Sequence, residues 1–122
     1  MAWFAVASSD TVDVYCNEDP AVTPKAEHDD AVMLTADECK KVGKGATCYT
    51  VRPLTWIESQ RWDGSTPAET IDGIVKLALV AIDGDADKAK AAKERLHPKV
   101  AVPLCVAIQA ATWGNFTSAD PD

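Results

Sequence analysis

Pro53 divides this chain. The stretch Thr50–Trp62 reads TVRPLTWIESQRW. A proline has no N–H to give a sheet ladder, and its ring keeps the residue before it out of the helical region. The run of β-formers TCYTV, which ends at Val51, therefore stops at Arg52. Two residues past the proline, Thr55 stands three positions ahead of Glu58, the spacing of a capping box, and opens a short helix that reaches Trp62. The fold must accordingly contain a strand-to-helix junction, with β structure leading into it and helices leading away. Trp56 is expected to close the seam between the two layers. Trp62, beside Asp63-Gly64, suits either a core or a contact surface.

Upstream of the junction the pattern is β-type. Residues 2–16 read as a hairpin: AWFAVA, a Ser8-Ser9-Asp10 turn, then VDVYC, in which Val12, Val14 and Cys16 alternate with Asp13 and Tyr15. Residues 17–31 are polar, carry two prolines and read as a surface loop. Val32-Met33-Leu34 suggests a short strand. Thr35 and Glu38 have capping-box spacing and predict a helical turn that ends near Gly43.

Downstream the pattern is helical. Thr66-Pro67-Ala68-Glu69 combines an N-cap, a proline at the first helical position and a capping-box glutamate. Ile71, Ile74, Val75, Ala78 and Ile82 follow at helical spacing, which predicts one helix from Pro67 to Ile82. DADKAKAAKERLH predicts a surface helix with a thin edge of Ala89, Ala92 and Leu96. A last helix is expected over Pro98–Thr112, facing inward with Leu104, Ile108 and Ala111; Pro103 should kink it or mark its start. The reading is one α+β domain over 1–122, with a small antiparallel β-sheet packed beside three α-helices. Residues 1–56 are mainly β and loops, and 57–115 are mainly helical.

Net charge narrows the function classes. Twelve Lys and Arg stand against nineteen Asp and Glu, a formal charge of −7. Nucleic-acid surfaces need clustered cations, so no nucleic-acid partner is expected. No apolar run is long enough to span a bilayer, and MAWFAVASSD lacks a secretory signal's cationic start, so no membrane partner is expected either. Asn115–Thr117 matches a glycosylation acceptor only by chance on that reading. Cys16, Cys39, Cys48 and Cys105 form no C-x-x-C pair and read as reduced, small hydrophobic residues. A Cys39–Cys48 bridge is the one local disulfide open to test.

Several motifs invite chemistry. Asp83, Asp85, Asp87 and Glu94 fall at positions one, three, five and twelve of a calcium loop, but Lys88 stands where that loop needs glycine. Asp85 as a helix N-cap accounts for the same residues. His28 among Glu27, Asp29 and Asp30 reads as a solvated loop, and GKG at Gly43–Gly45 lacks the rest of a phosphate loop. Cys105 and His97 lie eight residues apart across two prolines, in an apolar helix that suits a structural thiol better than a nucleophile. No catalytic, cofactor or metal residue is assigned, and an enzyme is not expected.

TCYTVRPLTWIESQRW, the capped helix, LALVAIDG and LHPKVAVPLCVAIQA, taken in that order, resemble small structural and assembly proteins of tailed bacteriophages, notably the tail-assembly-chaperone-like group. The resemblance spans Cys48–Trp113. It implies a non-enzymatic accessory protein of the virion, in the head, neck or tail, that meets other virion proteins or copies of itself. It places the chain in the virion, and in host cytoplasm during assembly. A tail-assembly chaperone is the alternative, and a metal-responsive module built on Asp83–Glu94 is a rival from another class. Aromatic and arginine side chains dominate interface energetics, so Trp3, Phe4, Arg52, Trp62 and Trp113 are the interface candidates.

Overall fold

The structure is a computed structural model that describes residues 10–26, 30–62 and 64–113. Its strands are Val12–Cys16 (β1), Val22–Pro24 (β2), Met33–Leu34 (β3), Cys39–Val42 (β4), Tyr49–Val51 (β5) and Leu79–Ile82 (β6). Its helices are Trp56–Gln60 (α1), Pro67–Ala78 (α2), Ala86–Ala92 (α3) and Pro98–Thr112 (α4). The α+β class, with a small antiparallel sheet beside helices, is the one the sequence predicts. The first arm of the expected hairpin, with Trp3 and Phe4, lies outside the described residues. So do His28 and the Asn115–Thr117 motif.

The alternation in β1 sets the sheet. Val14 and Cys16 turn into the core while Asp13 faces out. Val12–Val14 pair antiparallel with β5, and Tyr15–Cys16 pair with β3 on the opposite edge. β6 completes the order β3-β1-β5-β6. Helix α4 lies across β1, β3 and β5, and α2 packs against α4. The centre of the core is Val14, Val51, Ile74, Leu79, Leu104 and Ile108, each under 2% exposed or at that limit. Burying side chains of this size stabilises by about 1.5–3 kcal/mol apiece.

Three local expectations differ from the structure. First, β6 occupies residues assigned to the end of the long helix. The apolar run Leu79–Ile82 fits either period, and pairing decides it: Val51 meets Leu79, Thr50 meets Ala81, and Tyr49 meets Ile82. Helix α2 then ends without a glycine. Its last carbonyls are met from elsewhere, Ala78 O by the Arg52 N–H at 3.0 Å, Leu77 O by Arg52 Nη2 at 3.3 Å, and Lys76 O by Lys93 Nζ at 2.6 Å.

Second, the Thr35–Glu38 box closes only a single 3-10 turn, Ala36–Glu38. Cys39–Val42 runs on as β4 and pairs with β2, which lies inside the segment read as loop. Val22, Leu34 and Cys39 form a small second core there, covered in part by Tyr15. Asp19 ties this region to the main sheet by accepting from Ala21 N and Thr47 N, both at 2.9 Å.

Third, Pro103 does not mark the start of α4, which runs through it from Pro98 to Thr112. Its missing N–H leaves the Lys99 carbonyl, four residues back, without a helical donor. The Cys16 thiol lies 3.9 Å from that oxygen and donates to it.

Candidate interaction surface

The junction at Pro53 is held by one side chain. Arg52 Nη1 and Nη2 donate to Glu58 Oε1 and Oε2 at 2.8 and 2.9 Å. The same guanidinium donates to Pro53 O at 3.1 Å and Leu77 O at 3.3 Å. It therefore joins β5, α1 and α2. Arg52 holds the Glu58 carboxyl down at about 2, against an ordinary 4.5. Only 23% of the Arg52 side chain is exposed, so most of it is spent inside the molecule.

That ion pair also fixes the rotation of α1. Glu58 faces inward, and Trp56, two residues earlier, lies about 200° round the helix and faces out. Trp56 is 72% exposed and Ile57 71%. The sequence assigns Trp56 to the seam between layers; Leu54, 4% exposed, fills that place instead. Leu54 N donates to Thr112 Oγ1 at 2.9 Å, which sets the start of α1 against the end of α4. Trp113 follows Thr112 and is 64% exposed. Trp56 and Ile57 on α1 and Trp113 after α4 are thus exposed on two segments that the Leu54–Thr112 bond ties together.

Trp62 is half-buried. Its ring lies on Gly73: a β-carbon there would come within 2.1 Å of the ring's Cη2. Glycine is required by this close approach and not by its backbone angles. The indole Nε1 is buried and has no hydrogen-bond partner among the described residues. Trp62 and Trp113 wall an open cleft of about 340 Å³, floored by Leu54 and Ile74 and rimmed by Gln60 and Gln109.

Other sequence candidates fall elsewhere. Asp83 accepts from Cys48 N at 2.9 Å and from Lys88 Nζ at 2.8 Å. Lys88, and then the Cys48 N–H, hold its carboxyl below the ordinary range. Asp85 caps α3 through Asp87 N and Lys88 N. Glu94 reaches towards Lys76 at 3.8 Å, away from Asp83's partners. Among the described residues no group of three potential ligands is placed to hold a metal ion. His97 caps α4, its Nδ1 accepting from Lys99 N at 3.1 Å. Burial pushes the Cys105 thiol up. Cys39 and Cys48 are both free thiols.

Of the five interface candidates, the structure brings Trp62 and Trp113 to one cleft and turns Arg52 inward onto Glu58, Pro53 and Leu77. Trp3 and Phe4 are outside the described residues. Sequence reasoning missed Ile57, Val102 and Val106, the last two 46% and 60% exposed. A signal for the valines was present, because Val100–Trp113 holds no charged residue. Among the described residues no helix is long and apolar enough to cross a membrane. No family model, curated protein or solved structure matches the chain.

Proposed function

We propose that the protein is a non-enzymatic accessory structural protein of a tailed-phage particle and works through protein–protein contacts. The observation that carries the contact reading is the exposure of Trp56, Ile57 and Trp113. At 72% and 64% exposure, the two indoles alone leave on the order of 300 Å² of mostly apolar surface in water. Exposed apolar area of that size is at the level where monomeric proteins carry an interaction site. It is seated on a rigid base, since Arg52 locks α1 to the sheet. The phage setting is supported by the sequence resemblance over Cys48–Trp113.

The test is mass spectrometry of purified particles, made with wild-type chain or with Trp56→Ala or Trp113→Ala. Both substitutions are at exposed positions and should leave the circular dichroism spectrum unchanged. The expected result is wild-type chain in the particle and at least tenfold less of either variant. Chain found with tail proteins in the lysate but missing from finished particles makes it an assembly chaperone. Variants that fold and incorporate like wild type overturn the aromatic surface.

A further inference from the structure

Helix α4 has two apolar faces. From Val100 to Trp113 it carries no charge, and a helix apolar all round is normally covered all round. Leu104, Cys105, Ala107 and Ile108 are buried in the core. On the other side Val102, Val106, Gln109 and Trp113 are exposed. These positions follow one another by four, three and four residues, the spacing of a seam that one helix presents to another. Val102 is flanked by two hollows. One of about 320 Å³ opens towards α2, beside Ile71 and Leu96. The other, about 310 Å³, opens towards β3, beside Met33 and Leu34.

We infer that α4 pairs antiparallel with α4 of a second copy, about a two-fold axis that crosses the seam between Val106 and Gln109. The inference rests on the reading of this chain as one that works through surface contacts, and it names the partner for one face. Shape favours this occupant. Antiparallel pairing sets Trp113 of each copy opposite Val102 of the other, so the bulkiest seam residue meets the hollows. Parallel pairing would set indole against indole and leave the hollows unfilled.

Charge favours it as well. Lys99 sits in the first turn of α4, which has no acidic residue of its own, and its Nζ donates to Glu18 Oε1 at 3.3 Å; the last turn holds no cation. Antiparallel pairing brings each Lys99 towards the negative end of the other copy's helix. Parallel pairing would bring the two lysines together. Within the seam no charge opposes contact, although each copy is −7 overall. A two-fold interface of this kind is self-complementary and closes on itself. From Val102 to Trp113 the seam is about 16 Å long. That is short for a standard interface of roughly 800 Å² per partner, so the dimer should be weak and concentration-dependent.

Sedimentation velocity on the full chain tests the pairing across about 5 to 500 micromolar. The expected result is a shift from the mass of one copy to that of two. Val106→Glu should hold the chain at one copy throughout, with an unchanged circular dichroism spectrum; Val102→Lys serves if Val106→Glu fails to fold. Orientation is read from an oxidised equimolar mixture of Val106→Cys and Gln109→Cys chains, with wild type as the control for native thiols. The mixed disulfide should predominate. One-copy mass at every concentration, dimers that survive Val106→Glu and Val102→Lys, or a predominance of Val106→Cys homodisulfide would each overturn it. A wild type that stays monomeric yet enters particles sinks the pairing alone. One that dimerises but enters no particle sinks the phage reading alone.

Discussion

Replacing Glu58 by Gln removes the charge from the bidentate pair that holds the junction. A folded-state value of about 2 against an ordinary 4.5 corresponds to about 3 kcal/mol if fully realised. Both partners keep some water, at 23% and 17% side-chain exposure. Solvent screening and the ordering of a long arginine reduce the figure to about 1–2 kcal/mol. For a domain of this length that lowers the melting temperature by about 3–8 °C at pH 7. Arg52→Ala should cost about 1 kcal/mol more, because it also strips the donors from Pro53 O and Leu77 O.

The pH dependence separates the charge from mere packing. The carboxyl is depressed in the folded state, so its stabilisation is present above pH 4.5 and is lost as the pH falls from 4.5 through about 2. Urea unfolding followed by tryptophan fluorescence should therefore show the wild type more stable than Glu58→Gln at pH 7. The gap should be largely closed at pH 2. Equal stability at pH 7 would refute the reasoning. So would a gap that persists unchanged at pH 2, since a neutral carboxyl cannot supply it.

Val75, 2% exposed, lies in the helix at the core, and Val75→Asp should cost several kcal/mol, on the order of 4, by burying an unpaired carboxylate; a soluble variant with a cooperative melt would move α2 to the periphery. Gly73→Ala should cost about 1–3 kcal/mol and shift the Trp62 emission, because the ring must leave its seat; an unchanged melt and spectrum would refute that seat. Added calcium should leave the melting temperature where it is, since the Asp83 carboxylate is held by Lys88 and a backbone N–H. A saturable rise that vanishes in Asp83→Ala would restore the calcium-loop reading.

What the sequence discloses is what short-range chemistry decides. The caps at Thr55, Thr66 and Asp85 are all made, because each needs only residues two or three positions on. The alternation of β1 is likewise local. Leu79–Ile82 is different. Four apolar residues satisfy both periods, and the choice is made by β5, some thirty residues away, with Arg52 and Lys93 closing the helix end in place of a glycine. β2 and β4 were illegible because each buries a single residue, Val22 and Cys39, among polar neighbours. The exposure of Trp56 follows from the rotation of α1. That rotation is set by Arg52 and Glu58, and the capping box does not reveal it.

Arg52 connects these points. The sequence offers it as a contact side chain, because arginine is frequent at interfaces. The structure uses its guanidinium to make bonds to Glu58, Pro53 and Leu77, so that β5, α1 and the end of α2 share one anchor. An anchor of this kind still serves association. Ordering a loose segment on binding subtracts from affinity, whereas Trp56 and Ile57 on a helix already fixed to the sheet require little further ordering. Arg52 and the exposed aromatics should therefore differ in how they fail. A change at Arg52 weakens contact only by loosening the base, so its effects on melting and on association should move together. Changes at Trp56 or Trp113 should alter association while the melt stays in place. Loss of association at Arg52 with full stability would mean that the guanidinium meets the partner directly.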